Sequence, residues 1–263
     1  MKISFIGAGN MGSAIMGGVV DSKLASATDI TVSDKCIDKL NELKLKYGVN
    51  ITENNSECLD CDVLVLCVKP NVIYDVIDSI KNGLSDRTVV VSIAAGQSIA
   101  KLNAAFDKKA KIVRVMPNTP ALVGEGMAAI SVGDGVSESD RKAVEDIFSS
   151  VGKAYVVPET LMDTVTGVSG SSPAYVFMFI EAMADAAVKG GMGREMAYTF
   201  AAQSVLGSAK MVLDTKIHPA QLKDMVTSPG GTTIDAVAVL EKEGMRNAVI
   251  KAIEACIDKS KSM

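Results

Sequence analysis

Residues 3–12 read Ile3-Ser4-Phe5-Ile6-Gly7-Ala8-Gly9-Asn10-Met11-Gly12, an apolar run that passes directly into three spaced glycines. The apolar run predicts a strand and the residues after it predict a helix, so the glycines occupy the turn between them. There the first glycine permits a tight turn, and the second lets the backbone approach a pyrophosphate. The third lets the helix pack close to the strand, with its first N–H groups facing the phosphates. The stretch therefore predicts a dinucleotide-binding turn, against the alternative of a glycine-rich turn without a ligand.

The composition of the chain limits the classes of protein that it can represent. Its 263 residues suffice for one large domain or two ordinary ones, and 48% are hydrophobic. A formal net charge of −4 argues against nucleic acid or an anionic membrane as a main partner. No apolar run is long enough for a membrane span, and the N-terminus enters the first predicted strand without a signal peptide. We therefore expect a cytoplasmic protein.

Cys58 and Cys61 form a Cys-x-x-Cys pair within a set of five cysteines. Such a pair can indicate redox chemistry or a zinc site. However, no second pair and no nearby histidine completes a set of four ligands. We therefore predict no metal site, and the role of the pair stays open.

Strands and helices alternate through the first part of the chain. Apolar runs predict strands at 30–32, 49–51, 63–68, 88–93 and 111–115. Helical patterns lie between them at 13–23, 36–47, 72–81 and 99–105. The unbroken apolar run at 63–68 is typical of a central parallel strand that is buried on both faces. This order predicts a doubly wound parallel sheet, an α/β Rossmann-type domain over residues 1–158.

Beyond residue 158, helical periodicity replaces the strand-like runs. The predicted helices are 160–168, 173–190, 194–214, 219–226 and 232–258. We therefore predict an all-α C-terminal domain over residues 159–263. Its apolar faces are too extensive for roughly a hundred residues to bury alone, so we expect this domain to dimerise.

Five loops follow the predicted strands, at the edge where open α/β sheets bind their ligands. They are Gly7–Gly12, Ser33–Lys35, Lys69–Pro70, Ala94–Gly96 and Met116–Pro120, and they hold small, polar or basic residues. Asp34 lies where an acidic residue would bind a ribose 2′-hydroxyl, which favours NADH. Ser33 and Lys35 could instead hold a 2′-phosphate, which favours NADPH. These residues leave the choice open.

Two stretches rich in glycine and hydroxyl residues precede helices in the second domain. Thr166–Tyr175 reads as a compact loop that enters a helix, with Ser172 as the cap and Pro173 in the first turn. Thr227–Thr233 opens another helix. Adjacent N–H groups at a helix N-terminus, with hydroxyls beside them, suit a carboxylate. The alternative is that both stretches are ordinary capped turns.

Six segments together resemble the pyrroline-5-carboxylate reductase family over nearly the whole chain. They are Gly7–Gly12, Val68–Pro70, Ala94–Gly96, Val115–Asn118, Ser169–Tyr175 and Ser228–Thr233. The last, Ser-Pro-Gly-Gly-Thr-Thr, is highly specific to that family. The resemblance implies reduction of (S)-1-pyrroline-5-carboxylate to L-proline by hydride from NADPH, the expected preference, or from NADH. It also implies a homodimer with interlocked helical domains, and dimers that assemble into a decamer.

The resemblance also assigns roles to individual residues. Thr233 is expected to hydrogen-bond the imine nitrogen, and the substrate is expected to bind Ser228, Gly230, Gly231, Thr232 and Thr233. The expected cofactor-binding residues are Gly7, Ala8, Gly9, Asn10, Met11, Gly12, Ser33, Asp34, Lys35, Asn54, Val68, Lys69, Pro70, Ala94, Ala95, Gly96 and Asn118. Asn54 would reach the adenine-side ribose, although Asn55 beside it leaves the register open.

No strong protein acid is required, because a cyclic imine is readily protonated near neutral pH. The single histidine, His218, precedes a proline at a predicted helix start. We therefore expect His218 to have a local structural role and not to act as a general acid.

Two other functions compete with this one. A β-hydroxyacid dehydrogenase also joins a Rossmann domain to helices, but it needs a base, usually a lysine in the first helix of the helical domain. The predicted helix at 173–190 has Lys189 alone, at its far end, which counts against that activity. A non-catalytic NAD(P)H-sensing module would bind the cofactor and turn over no imine.

Overall fold

The computed structural model describes residues 1–107 and 110–262. Spatial packing divides it into two compact units. The first unit comprises Met1–Ser171 together with the end of the chain from Cys256, and the second comprises Ser172–Ala255. The predicted boundary after residue 158 follows the change from strands to helices, whereas these units follow packing. That boundary stays a prediction.

The first unit is built on an eight-stranded sheet with the order β3-β2-β1-β4-β5-β6-β7-β8. The strands are β1 Ile3–Ile6, β2 Ile30–Ser33, β3 Asn50–Thr52, β4 Val63–Leu66, β5 Val89–Ser92, β6 Lys111–Met116, β7 Gly126–Val132 and β8 Gly152–Val156. From β3 to β6 every neighbouring pair is parallel. The strand order reverses between β1 and β4, as in dinucleotide-binding sheets. The Rossmann-type prediction is confirmed.

The predicted parallel sheet is confirmed from β3 to β6, and two strands that were not predicted extend it at one edge. β7 runs antiparallel to β6, and β8 is parallel to β7. Residues 117–125 alone separate β6 from β7, and a parallel crossover needs about a dozen residues or more. The short connection therefore forces the reversal.

Helices cover both faces of the sheet. They are α1 Asn10–Asp21, α2 Ile37–Tyr47, α3 Ile73–Ile80, α4 Ile99–Ala105, α5 Glu138–Ser149 and α6 Met162–Val165. Side chains of α1, α2 and α5 pack on the face that presents Phe5 and Val65. Side chains of α3 and α4 pack on the face that presents Ile6 and Leu66. All of β4 is buried, so its unbroken apolar run serves both faces, as predicted.

The second unit consists of helices, which confirms the all-α prediction. They are α7 Ser172–Lys189, α8 Arg194–Thr215, α9 Pro219–Val226, α10 Thr232–Lys242 and α11 Met245–Lys261, whose end from Cys256 belongs to the first unit. The single helix predicted at 232–258 is wrong, because α10 and α11 are separate. Gly244 lies between them with φ of +79°, a left-handed conformation that ends helices and that glycine adopts without strain.

Candidate functional site

The glycine turn joins β1 to α1 in the first unit. Gly7 has φ of +108°, and a Cβ there would lie 2.5 Å from the carbonyl oxygen of Cys67. A Cβ on Gly12 would collide with the carbonyl oxygen of Gly7. Packing therefore requires glycine at both positions. A Cβ on Gly9 would meet nothing within 4 Å, so Gly9 leaves open space above the turn, which a closely approaching ligand requires.

The N-terminus of α1 is suited to an anion. Helix α1 follows Gly9, and in the described structure neither a side-chain cap nor an acidic residue lies in its first turn. The first N–H groups of the helix, at Asn10, Met11 and Gly12, therefore have no partner within the helix, and the helix dipole is positive there. Together with the space above Gly9, this arrangement fits a dinucleotide pyrophosphate.

A cavity of about 370 Å³ lies at the carboxyl ends of β1, β2 and β4. The residues that line it include Ile6, Gly7, Ser33, Asp34, Lys35, Asn55 and Val68, followed by Val72, Asp75, Val76 and Ser79 from the region of α3. Five predicted cofactor residues therefore meet here. Sequence reasoning missed the lining residues from α3, although the position of that helix directly after Lys69–Pro70 was a usable signal.

The carboxylate of Asp34 is tied to the glycine turn. Its Oδ2 accepts a hydrogen bond from the backbone N–H of Ala8 at 2.6 Å. Its Oδ1 accepts one from the N–H of Cys36 at 2.9 Å. Asp34 is partly exposed, and Lys35 beside it is exposed. The rim of the cavity thus carries one fixed negative charge and one adjacent positive charge.

The two neighbouring asparagines have different environments. The hydroxyl of Ser33 is buried and donates to Oδ1 of Asn55 at 2.7 Å. Asn54 is exposed, and its Oδ1 accepts from the N–H of Ser56 at 3.1 Å, which caps the 3₁₀ helix Asn55–Cys58. Asn55 therefore lines the cavity, and Asn54 does not. We therefore propose that Asn55, and not Asn54, contacts the ribose.

Two further predicted loops follow neighbouring strands. Lys69–Pro70 follows β4 and Ala94–Gly96 follows β5, and these strands pair in parallel with Leu66 opposite Ser92. Pro70 begins the 3₁₀ helix Pro70–Val72, which leads into α3. Both loops therefore lie at the carboxyl edge of the sheet.

Asn118 connects two segments within the first unit. Its Oδ1 accepts from the N–H of Met127 at 2.8 Å, and its Nδ2 donates to the carbonyl of Ser169 at 3.0 Å. The side chain is buried, so these bonds satisfy an amide that water does not reach. The predicted contact of Asn118 with the cofactor stays a prediction.

The segment Thr166–Gly170 is a π-helical turn that continues α6. The helix predicted at 160–168 is therefore right over residues 166–168, and the loop predicted from Thr166 is wrong. The hydroxyls of Thr166 and Ser169 donate to the carbonyls of Met162 and Val165, four residues earlier. These hydroxyl residues thus bond within a helix, where composition alone favoured a loop. Helix α7 begins at Ser172 itself, so Ser172 is not a cap outside the helix. π-helical turns often occur at functional sites.

The Ser-Pro-Gly-Gly turn lies between α9 and α10 in the second unit. The N–H of Gly231 donates to the carbonyl of Ser228 at 3.0 Å. Gly230 has φ of +67°, and a proline followed by such a glycine is typical of a type II turn. A Cβ on Gly231 would lie 2.5 Å from Oγ of Ser228. Gly231 therefore lets the Ser228 hydroxyl lie against the start of α10.

The N-terminus of α10, which Gly231 precedes, lacks a side-chain cap within the described structure, as that of α1 does, but its first turn also carries an acidic residue, Asp235. The N–H groups of the first turn, beginning at Thr232 and Thr233, are therefore open to an anion. Ser228 is exposed and Thr233 is partly exposed. The predicted substrate residues thus form one continuous end of a helix that presents backbone N–H groups and hydroxyls.

His218 caps α9. Its Nδ1 accepts a hydrogen bond from the backbone N–H of Ala220 at 3.2 Å, with Pro219 as the first residue of the helix. The predicted local structural role is confirmed.

Cys58 and Cys61 are buried free thiols. Burial raises the pKa of Cys58 to about 12 and that of Cys61 to about 11. Both thiols therefore stay protonated at neutral pH and are poor nucleophiles and ligands. Within residues 1–107 and 110–262, no group of three His, Cys, Asp or Glu residues is placed to hold a metal ion. In the same part of the chain, no helix has the length and apolarity of a membrane span.

Known proteins match both the sequence and the fold. The family model for pyrroline-5-carboxylate reductase dimerisation matches residues 159–263, and that for NADP oxidoreductase, coenzyme F420-dependent, matches residues 2–96. The pyrroline-5-carboxylate reductase of Escherichia coli K12 is 50% identical over 263 residues, which cover 100% of this chain and 98% of that protein. The chain belongs to the pyrroline-5-carboxylate reductase family.

Solved pyrroline-5-carboxylate reductases share the fold over the full length. The enzyme from Coxiella burnetii superposes with a TM-score of 0.92 at 36% identity, covering 99% of this chain and 97% of that one. The Plasmodium falciparum pyrroline carboxylate reductase, solved with NADP bound, superposes with a TM-score of 0.90 at 36% identity, covering 100% and 97%. The resemblance drawn from the six sequence segments is therefore confirmed.

Proposed function

We infer that this chain is an NAD(P)H-dependent imine reductase that converts (S)-1-pyrroline-5-carboxylate to L-proline, the last step of proline biosynthesis. The observation that carries the inference is the 50% identity to a pyrroline-5-carboxylate reductase over the whole chain. The uncapped Ser228–Thr233 turn supports it, because this turn offers donors for the carboxylate of the substrate.

The residues of the first unit fit a dinucleotide. The first N–H groups of α1 would hold the pyrophosphate, and the space above Gly9 would admit it. Asp34, Lys35 and Asn55 would surround the adenine-side ribose. When bound, NAD(P)H supplies the hydride that adds to the imine carbon.

The Ser228–Thr233 turn would hold and orient the substrate. N–H groups at the start of α10 and the hydroxyl of Ser228 would bind the carboxylate. The hydroxyl of Thr233 would hydrogen-bond the imine nitrogen and so fix the ring that receives the hydride. The imine is protonated from water near neutral pH, so these residues contribute mainly position and orientation.

We propose that NADPH is the preferred hydride donor and that NADH is also accepted. Lys35, exposed at the rim of the cavity, supports this preference because its ammonium suits a 2′-phosphate. Both oxygens of Asp34 already accept backbone N–H bonds, which partly compensates its negative charge. That charge still disfavours a nearby phosphate, so the predicted preference is moderate.

The second unit exposes apolar side chains that suit a homo-oligomer. Phe177, Met178 and Phe200 are 62%, 69% and 63% exposed, and isolated proteins rarely expose such a set on neighbouring helices. These residues lie within the match to the dimerisation model. We propose that α7 and α8 form a homodimer interface, that dimers assemble further into a decamer, and that the enzyme is cytoplasmic.

The rival functions make different predictions. Helix α7 carries a single lysine, Lys189, at its last position, so it lacks the early base that a β-hydroxyacid dehydrogenase needs. A sensing module would bind NAD(P)H and leave every imine unchanged. Following the absorbance of NADPH and of NADH with pyrroline-5-carboxylate decides between them. We expect oxidation that depends on the imine, and no oxidation with either cofactor would contradict the proposed function.

A further inference from the structure

A hydrogen bond joins the start of α3 to the loop that follows β5. The hydroxyl of Tyr74 donates to Oε1 of Gln97 at 2.5 Å. Tyr74 is the second residue of α3, shortly after Lys69–Pro70. Gln97 directly follows Gly96, which has φ of +72°. One side-chain contact therefore connects the ends of two neighbouring parallel strands.

The exposure of the two side chains shows that core packing alone does not account for this bond. Helix α3 buries Ile73, Ile77 and Ile80, and Tyr74 is 41% exposed, so its ring is not part of that face. Gln97 is only 7% exposed. A side-chain amide at that depth needs a partner, and the Tyr74 hydroxyl provides one. The main contribution of Tyr74 is therefore its hydroxyl hydrogen bond, which satisfies the buried amide oxygen of Gln97.

We propose that Tyr74 and Gln97 are positioning residues for hydride transfer. This inference rests on the proposed function. There the adenine-side ribose lies beyond β2, so the nicotinamide half extends the other way along the carboxyl edge, toward Lys69–Pro70 after β4 and Ala94–Gly96 after β5. The bond fixes the start of α3, and with it the preceding Lys69–Pro70 segment, against the loop that follows β5. Hydride transfer is sensitive to small displacements of the reacting groups. Binding of the dinucleotide depends mainly on other features, namely the α1 N-terminus and the Asp34 cavity. Loss of the bond should therefore lower kcat and leave the KM for NADPH nearly unchanged.

Substitutions at both positions test the proposal through steady-state kinetics. Tyr74→Phe keeps the ring and removes the donor, and Gln97→Ala removes the acceptor. We expect each to lower kcat by about tenfold with less than about a twofold change in the KM for NADPH. The double variant should be no slower than either single variant, because one bond is lost in all three. Gln97→Glu keeps an acceptor oxygen for the Tyr74 hydroxyl and should recover most of the rate.

Tyr155→Phe is the matched control, because Tyr155 is exposed on β8 and should keep the wild-type kcat. Thermal unfolding of each variant checks that the fold survives. Three results would overturn the positioning role. They are an unchanged kcat in Tyr74→Phe, a rise in the KM for NADPH as large as the fall in kcat, and additive losses in the double variant. A wild-type enzyme without turnover would instead overturn the proposed function, and with it this inference.

Discussion

The role proposed for Thr233 depends on a single hydroxyl. It is the second residue of α10, at an N-terminus whose first N–H groups lack a side-chain cap within the described structure. Backbone N–H groups bind a carboxylate whatever the neighbouring side chains are, so they survive most substitutions. The hydroxyl of Thr233 is different, because one substitution removes it. The roles of the backbone and of the hydroxyl can therefore be separated by experiment.

Thr233→Ala should lower kcat by about tenfold or more, because the imine nitrogen loses the group that orients it. Binding of NADPH, measured by fluorescence titration, should be retained. Thr233→Ser is the matched control, since it keeps the hydroxyl and should keep most of the rate. Unchanged turnover in Thr233→Ala would remove this residue from the mechanism.

Lys35 and Asp34 should set the cofactor preference in opposite directions. Lys35→Met should raise the KM for NADPH several-fold and leave the KM for NADH unchanged, because the 2′-phosphate alone needs the cation. Asp34→Asn should raise the ratio of kcat/KM for NADPH to that for NADH, since a repulsive charge is lost. Parallel kinetics with both cofactors provide the measurement. Equal effects of Lys35→Met on both KM values would contradict the proposed 2′-phosphate contact.

The sequence could predict residue types at the site better than residue positions. The loops at the strand ends followed from strand order alone, and Ser33, Asp34 and Lys35 do line one cavity. The doubled asparagine could not be resolved, because the choice depends on which side chain caps the following 3₁₀ helix. The Tyr74–Gln97 bond was equally hidden, since 22 residues separate its partners in the sequence and neither belongs to a motif.

At the level of elements, the glycines of the β1–α1 turn have two different roles. Some are required for packing, and one leaves room for a ligand. Gly12 lies against the Gly7 carbonyl, whereas the space above Gly9 is open. The φ of Gly9 is −71°, which an alanine adopts without strain. The two positions therefore respond to the same substitution for different reasons.

Gly9→Ala should preserve the thermal unfolding temperature and weaken NADPH binding by about tenfold, because the new methyl group occupies the space for the pyrophosphate. Gly12→Ala should destabilise the fold by about 2 kcal/mol or more, since its Cβ collides with the backbone. Thermal unfolding and cofactor titration of both variants distinguish the two effects. Unchanged NADPH affinity in Gly9→Ala would favour a glycine turn that holds no ligand.

Element boundaries could be predicted where local signals are strong. The helix at 99–105 has the bounds that were predicted, and the strand predicted at 63–68 begins as predicted and ends two residues earlier, at Leu66. The break at Gly244 and the π-helical turn at 166–170 were missed. In the first case the apolar pattern continues across the glycine. In the second, hydroxyl residues that favour loops bond back to their own helix.

For the whole molecule, the exposed apolar residues of α7 and α8 predict self-association. Analytical ultracentrifugation should give a mass of at least two chains. Phe177→Glu with Phe200→Glu should shift the mass toward that of a single chain, because buried charges destabilise an apolar interface. Tyr155→Glu, on β8 of the first unit, is a control that should not. A monomeric wild-type protein would contradict the proposed dimer.

Fold class was predictable from the alternation of elements, and the family from six segments spread over the chain. Both glycine-rich turns open helices, as predicted. That one turn binds the cofactor and the other the substrate stays a prediction. The antiparallel edge of the sheet was not predicted, because no strand was predicted at β7 or β8 and the short connection before β7 was therefore not recognised.

The central claim is that this chain transfers a hydride from a nicotinamide dinucleotide to the imine carbon of pyrroline-5-carboxylate. The direct test supplies NADPH that carries deuterium at the transferred position, and analyses the product by mass spectrometry and NMR. We expect L-proline with one deuterium at Cδ, formed in equal amount to the NADP⁺ released. Consumption of NADPH without labelled proline, or unlabelled proline as the product, would contradict it.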